Sequence, residues 1–115
     1  MTATRSLFPS DPLAFIQRCV RNGRIVWTYH VNMRLRNRGI NRKSILDSVH
    51  AYEIIESYTD DKYLPSYLIY TEYAGEYYHI LFATDVEGEN VRIVTTYRPS
   101  EREWLPDLKT RRKLS

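Results

Sequence analysis

Cysteine, glycine and long apolar segments are all scarce in this sequence, and each scarcity excludes a class of protein. The single cysteine, Cys19, excludes an internal disulfide bond and a cysteine-rich zinc site. The four glycines are scattered, so there is no glycine-rich loop to bind phosphate groups. No apolar run approaches the roughly 20 residues of a transmembrane helix, and arginines interrupt the apolar part of the N-terminus. We therefore expect a cytoplasmic protein without a membrane span or a secretory signal.

Motifs for metal binding and for nucleophilic catalysis are absent as well. The sequence has no His-x-x-x-His pair and no carboxylate pair with a histidine at ligand spacing. No serine stands in a nucleophile motif. We therefore expect neither a metal ion nor another cofactor.

Acidic residues are nearly absent from the first part of the chain. Residues 1–43 contain nine basic residues and a single acid, Asp11. Residues 44–97 contain two basic residues against ten acids, and residues 98–115 contain six against three. The net charge of +3 therefore conceals a basic block, an acidic block and a basic tail. The first block either faces RNA or DNA, pairs with the acidic middle of the chain, or binds an acidic protein.

The first half of the chain has helical spacing. Ser10-Asp11-Pro12 opens a helix that stops at Asn22-Gly23, and its apolar face includes Cys19. Residues 24–28 form either a short strand or an extended connector. A second helix starts after Thr28 and ends at Gly39, and Asn41 caps a third that runs to about His50, with Ile45, Leu46 and Val49 facing inward.

From Glu53 onward the hydrophobic period changes to the alternation of strands. Because the connections are short, the strands are expected to be antiparallel neighbours. They are predicted at Glu53–Tyr58, Ser66–Tyr73, Tyr77–Thr84 and Val91–Tyr97. The predicted fold is α+β, with two to three N-terminal helices on a four-stranded antiparallel sheet. A short helical turn at residues 100–105 follows, and the domain (residues 10–108) lies between a flexible arm (1–9) and a basic tail (109–115).

Several segments of the chain match one family in order and spacing. They are Tyr29 to Ile40 (Tyr-His-x-x-x-Arg-x-x-x-Arg-Gly-Ile), Ile54-Ile55-Glu56-x-Tyr58, Tyr63 to Ser66, Gly75-x-x-x-His79-Ile80-Leu81, and Val94 to Pro99 with Trp104 and the Lys-Thr-Arg-Arg tail. Together they resemble the domain-of-unknown-function family 4258 (DUF 4258), over roughly residues 13–113. The resemblance implies a layout similar to ribonuclease toxins of the RelE and barnase-like type, which a cognate antitoxin protein would hold in check.

The chemistry of such a ribonuclease would need a base, an acid and cations that stabilise the phosphorane. His30 and Arg34 share one face of the second helix, and His79 and Tyr97 lie on strands; we predict these four as catalytic residues. Positive side chains that would bind the RNA backbone are predicted at Arg38, Arg98, Arg111 and Arg112. The prediction requires the helix face that carries His30 to lie across the strands that carry His79 and Tyr97.

Each of these residues also has a structural interpretation. His79 is equally consistent with a hydrogen-bonded core histidine, and His30 with a residue that bonds the backbone or Glu56. Arg34 and Arg38 would then pair with Glu53 or Glu56. The residues 109–113 would form a solvated tail, and Trp27 and Trp104 would be packing anchors.

Three functions follow from these alternatives. The first is a metal-independent endoribonuclease toxin with RNA as its substrate. The second is a non-catalytic basic module that binds nucleic acid or protein. The third is an interaction protein whose tyrosine-rich sheet edge is the interface.

Overall fold

The computed structural model, which describes residues 8–59 and 64–113, contains three helices and a five-stranded sheet. The helices are α1 (Pro12–Arg21), α2 (Tyr29–Arg38) and α3 (Arg42–Asp47), followed by a 3₁₀ turn at Val49–Ala51. The strands are β1 (Ile25–Val26), β2 (Glu53–Tyr58), β3 (Ser66–Tyr73), β4 (Glu76–Asp85) and β5 (Asn90–Tyr97). The protein is therefore α+β, as predicted. Within the described ranges no helix is both long and apolar enough to cross a membrane. The expected N-terminal arm lies mostly outside them, since residues 1–7 are not described.

The sheet has one strand more than the predicted four, and it is mixed rather than antiparallel. Its order is β1-β5-β4-β3-β2, and β2 to β5 form the expected antiparallel meander. The added strand β1 pairs in parallel with β5 through Ile25↔Val91 and Val26↔Arg92. The prediction of four antiparallel strands is therefore corrected. Two apolar residues in a connector have no periodicity, and only the tertiary fold brings them beside β5.

The two faces of the sheet are covered by different parts of the chain. The face that carries Tyr78, Ile80 and Phe82 packs against the three helices and forms the main core, and we call it the helix face. His79 alternates with these residues and lies on the opposite face, which we call the outer face. There the segment from Pro99 to Lys113 crosses the sheet, and Trp104 is 1% exposed.

Local capping explains where the helices start and stop. Asp11 caps α1, Thr28 caps α2 by accepting a hydrogen bond from the Val31 amide at 3.1 Å, and Asn41 caps α3, all as predicted. The third helix ends at Asp47 instead of continuing to His50. Leu46 is 36% exposed rather than inward-facing, since the side of α3 that is buried carries Ser44 and Ile45.

The C-terminal segment folds back on itself after a single hydrogen-bonded turn. The Ser100 carbonyl accepts from the amides of Glu103 and Trp104 at 3.2 and 3.1 Å, although no regular helix is formed at residues 100–105. The returning chain then pairs with this turn, since the Arg112 amide donates to the Glu103 carbonyl at 2.9 Å. Trp104 and Arg111 form an isolated β-bridge. Part of the basic tail, residues 109–113, is thereby fixed against the outer face.

A substitution at Gly39 tests whether its left-handed conformation is what ends α2. Its φ of +63° is left-handed, and the Ile40 amide reaches back to the Leu35 carbonyl at 2.9 Å in a Schellman-type cap. A Cβ at this position would meet no atom within 4 Å, so the cost of Gly39→Ala is backbone strain alone. We expect Gly39→Ala to lower the free energy of unfolding by about 1–2 kcal/mol in urea denaturation. Gly39→Asn should cost clearly less, and equal losses for the two variants would contradict this explanation.

Candidate functional site

A cluster of aromatic and ionisable side chains surrounds His79 on the outer face. His79 is 0% exposed, and its ring contacts the rings of Tyr97 and Trp104 with centroid distances of 5.3 and 4.4 Å. Tyr97 is brought there by strand pairing, because His79 and Tyr97 are directly opposite each other on β4 and β5. Trp104 is brought there by the C-terminal segment. The sequence prediction that His79 and Tyr97 come together therefore agrees with the geometry.

Both ring nitrogens of His79 are engaged in hydrogen bonds. Nε2 lies 2.6 Å from the Leu108 carbonyl oxygen, which can only accept, so Nε2 carries the proton of the neutral ring. Nδ1 then accepts from the Tyr97 hydroxyl at 3.2 Å. Burial lowers the pKa of His79 below its ordinary value. Leu108 adopts a left-handed φ of +59°, and Asp107 holds this turn by accepting from the Lys109 and Thr110 amides.

The lowered pKa of His79 predicts how stability depends on pH. In the unfolded chain His79 titrates near its ordinary value of about 6.5, whereas the folded protein binds that proton only at lower pH. Below about pH 6.5 the unfolded state therefore holds more protons, and the free energy of unfolding should fall by up to about 1.4 kcal/mol per pH unit. His79→Gln should flatten the curve between pH 7.5 and 5.5 in urea denaturation. If the free energy of unfolding had the same pH dependence in wild type and in His79→Gln, a lowered pKa of His79 would be contradicted.

Glu56, Tyr58 and Arg111 form the accessible part of the same cluster. Arg111 donates from Nε and Nη2 to the two Glu56 carboxylate oxygens at 3.1 and 3.0 Å, and Tyr58 donates its hydroxyl proton to Glu56. The Arg111 hydrogen bond lowers the pKa of Glu56, so the carboxylate is ionised at neutral pH. The Glu56 side chain is 22% exposed and that of Arg111 is 54% exposed. We call Glu56, Tyr58, His79, Tyr97 and Arg111 the outer-face cluster.

A β-bulge explains why Glu56 points to this face. Glu53 and Glu56 are three residues apart, so in a regular strand they would lie on opposite faces. The register of β2 against β3 shifts between Ile54 and Glu56, which reverses the alternation. Both acids consequently face the C-terminal segment, where Glu53 pairs with Lys109 at 3.0 Å. Simple alternation therefore missed Glu56 as a site residue, although it lies in the Ile54-Ile55-Glu56-x-Tyr58 segment.

The predicted residues on and beside α2 do not join this cluster. Val31 and Leu35 of α2 belong to the core on the helix face, so the helix lies across the sheet from His79. His30 is exposed, and its ring contacts only that of Tyr29 among the side chains described. The expected convergence of His30 and Arg34 with His79 and Tyr97 is therefore corrected: the strand alternation directs His79 away from the helices.

Arg34 and Arg38 lie along the edge of β5 instead. Since β1 covers only Val91 and Arg92, the rest of that edge has no neighbouring strand among residues 8–59 and 64–113. Arg34 donates to the Val94 carbonyl at 3.3 Å, and Arg38 to the Thr96 carbonyl at 2.5 Å. The alternative pairing of these arginines with Glu53 or Glu56 is not seen, because those acids are held by the C-terminal segment.

The two remaining predicted cations occupy separate places. Arg98 donates to the Arg38 and Gly39 carbonyls at 2.6 and 3.1 Å, which gives hydrogen-bond donors to carbonyls at the C-terminus of α2. It also pairs with Glu76 at 2.8 Å. Arg112 donates to the Glu101 carbonyl at 2.6 Å and is otherwise exposed. Beside Arg111 and Arg112 is a small cavity of about 130 Å³. Among residues 8–59 and 64–113, no three His, Cys, Asp or Glu side chains are grouped as metal ligands would be.

Comparison with known proteins identifies a family for this chain. A family model described as "Domain of unknown function (DUF4258)" matches residues 27–98, well over half of the sequence. The chain belongs to the DUF4258 family. Searches of curated proteins and of solved structures found no significant match. The DUF4258 match contains Glu56, Tyr58, His79 and Tyr97 of the outer-face cluster, whereas Arg111 comes from the segment that follows it.

Proposed function

We propose that this protein is a metal-independent endoribonuclease and the toxin of a toxin–antitoxin pair. The observation that carries the proposal is the partly exposed Glu56–Arg111 pair with the phenols of Tyr58 and Tyr97 beside it. It places a carboxylate base, a guanidinium and two phenols within one small area. These are the groups that cleavage of RNA by its own 2′-hydroxyl requires. The helix-then-meander layout, which resembles that of ribonuclease toxins, supports the proposal by analogy only.

In this proposal Glu56 accepts the proton of the 2′-hydroxyl as its oxygen attacks the adjacent phosphorus. Arg111 turns from Glu56 to the phosphate and stabilises the negative charge of the phosphorane. Tyr58 donates its proton to the leaving 5′-oxygen and regains one from Glu56 through their hydrogen bond. The products are a 2′,3′-cyclic phosphate and a 5′-hydroxyl, and the enzyme returns to its starting protonation.

Tyr97 and His79 have a supporting role in the same proposal. Burial raises the pKa of Tyr97, so its phenol stays protonated at neutral pH and donates to Nδ1 of His79. His79 is fully buried and cannot touch RNA in this arrangement, so we assign it as a positioning residue that orients Tyr97. Tyr97 is half-buried, and the part of its side chain that stays accessible would contact an RNA base.

The proposal is tested by incubating the purified chain with a fluorescent, quenched RNA in EDTA. We expect cleavage with cyclic-phosphate ends, growth arrest when the chain is expressed in bacteria, and rescue by the product of an adjacent antitoxin gene. Cleavage that needs an added divalent cation would contradict the metal-independent mechanism. Absence of both cleavage and growth arrest would remove the proposal.

A second candidate function is a non-catalytic module that binds nucleic acid or protein. The closed Glu56–Arg111 pair and the complete burial of His79 favour it, because the carboxylate is already paired and the imidazole has no contact with solvent. This candidate predicts binding that weakens steeply with salt and is not followed by turnover.

A further inference from the structure

Among the described residues, three acids of the middle of the chain pair with the C-terminal block, and only Asp47 pairs with the basic N-terminal block. Glu53, Glu56 and Glu76 form ion pairs with Lys109, Arg111 and Arg98 respectively. From the N-terminal block only Lys43 forms an ion pair within the described ranges, and its partner is Asp47 one turn along α3. Direct pairing with the acidic middle, one of the alternatives left open by the sequence, therefore does not account for the arginines of the helices.

Four of these arginines lie on α2 and at the start of α3: Arg34 and Arg38 on the side towards β5, and Arg36 and Arg42 on the side towards α3. We call Arg34, Arg36, Arg38 and Arg42 the α2 ridge. Three of them donate to neutral acceptors: Arg34 and Arg38 to β5 carbonyls, and Arg42 to Asn32 Oδ1 at 2.6 and 3.2 Å. Arg36 is exposed and has no partner in the part of the chain that the structure describes. A neutral acceptor fixes the position of a guanidinium without cancelling its charge, so the ridge keeps four positive charges.

A cleft beside the ridge has the right chemistry for phosphate. It lies between α2 and α3, has a volume of about 670 Å³, and is lined by Asn32, Leu35, Arg36, Gly39, Ile40, Asn41 and Arg42. No acid is among these residues. Arg42 is held in place by Asn32 and by the Trp27 ring, which lies 4.3 Å from its guanidinium carbon. Two guanidiniums and two amides therefore line a concave surface without a competing carboxylate.

We propose that the α2 ridge binds the phosphate backbone of an RNA much longer than the dinucleotide step that is cleaved. The inference rests on the proposed action on RNA and names the class of substrate: an extended or folded RNA. The ridge is on the helix face and the outer-face cluster is on the other, so one RNA must pass around the β5 edge of the sheet. Arg98 lies between the two surfaces, since it follows Tyr97 in the chain and donates to the Arg38 carbonyl.

RNA fits this surface better than an acidic protein does. Protein interfaces have an apolar centre, whereas the exposed side chains of the ridge are arginines. Tyr29 at the start of α2 is 73% exposed, and an exposed aromatic ring beside a basic surface is suited to stacking on an unpaired base.

The test compares the double variant Arg36→Glu/Arg42→Glu with Arg18→Glu/Arg21→Glu in the full chain. Arg18 and Arg21 are exposed arginines of α1, so both variants change the net charge equally. Affinity is measured by fluorescence anisotropy with a labelled 30-nucleotide RNA over a range of salt concentrations, and cleavage is measured with that RNA and with a dinucleotide. Circular dichroism confirms that each variant is folded.

We expect the ridge variant to bind the long RNA at least about tenfold more weakly, with a salt slope reduced by about 1.4 for two lost phosphate contacts. The α1 variant should lose less than about threefold. Cleavage of the dinucleotide should be unchanged by the ridge variant. Wild-type affinity of the ridge variant for long RNA, or equal losses in both variants, would overturn the inference. Binding that depends on the ridge without any cleavage would instead reject the proposed function and leave the ridge as an RNA surface.

Discussion

Replacing Glu56 with glutamine is expected to lower kcat/KM for RNA cleavage by about 10²- to 10⁴-fold, the range associated with loss of a general base. Glutamine keeps the size of the side chain and its ability to accept from Tyr58 and Arg111, but it cannot take up the 2′-hydroxyl proton. The measurement is the initial rate on a fluorescent RNA in EDTA. Because the Glu56–Arg111 pair is partly exposed, the variant should lose no more than about 1 kcal/mol of stability.

Glu76→Gln is the matched control for this experiment. Glu76 also accepts from an arginine, Arg98, at 2.8 Å, but it lies at the start of β4 and outside the outer-face cluster. We expect its variant to cleave RNA within about twofold of wild type. If the Glu56 variant kept full activity, the base would have to be another group. If both variants lost activity equally, the loss would reflect general electrostatics instead of proton transfer.

The sequence was sufficient to predict most elements because local signals were strong. The bounds of β2 and β3 are those expected, since alternating residues end at turns on either side. Thr28 and Gly39 bound α2 as predicted, because an N-cap side chain and a left-handed glycine act locally and do not depend on the tertiary fold. The differences are the 3₁₀ turn that replaces the end of the predicted third helix, the added parallel strand β1, and the absence of a regular helix at residues 100–105.

The candidate site was harder to predict because it depends on distant contacts. The alternation of β4 separates His79 from Tyr78 and Ile80, but both faces are apolar, so the sequence could not tell which face meets the helices. The bulge that turns Glu56 to the outer face leaves no clear sequence pattern. Arg111 reaches Glu56 from 55 residues away through a chain reversal that composition would assign to a solvated tail.

The separation of acidic and basic blocks along the sequence is explained in part by ion pairs between the middle of the chain and the C-terminal segment. Lys109 and Arg111 anchor the C-terminal segment on Glu53 and Glu56, so the tail is part of the domain as far as Lys113. Each of these pairs is partly exposed and contributes little stability by itself. What orders the segment is therefore the burial of Trp104 against the outer face, and this leads to a prediction with a large effect.

Trp104→Ala is expected to lower the free energy of unfolding by about 3–5 kcal/mol, because truncating a fully buried aromatic side chain leaves a cavity. The same change uncovers the His79 ring, which Trp104 contacts edge-on at 4.4 Å, and frees Arg111 from the indole face. Since burial is the largest cause of the lowered pKa of His79, that pKa should rise towards its ordinary value in an NMR titration. Trp104→Phe should keep most of the stability and most of the pKa shift. A Trp104→Ala protein with wild-type stability and an unchanged His79 titration would show that the segment does not cover the outer face, and the Glu56–Arg111 pair would then lose its structural basis.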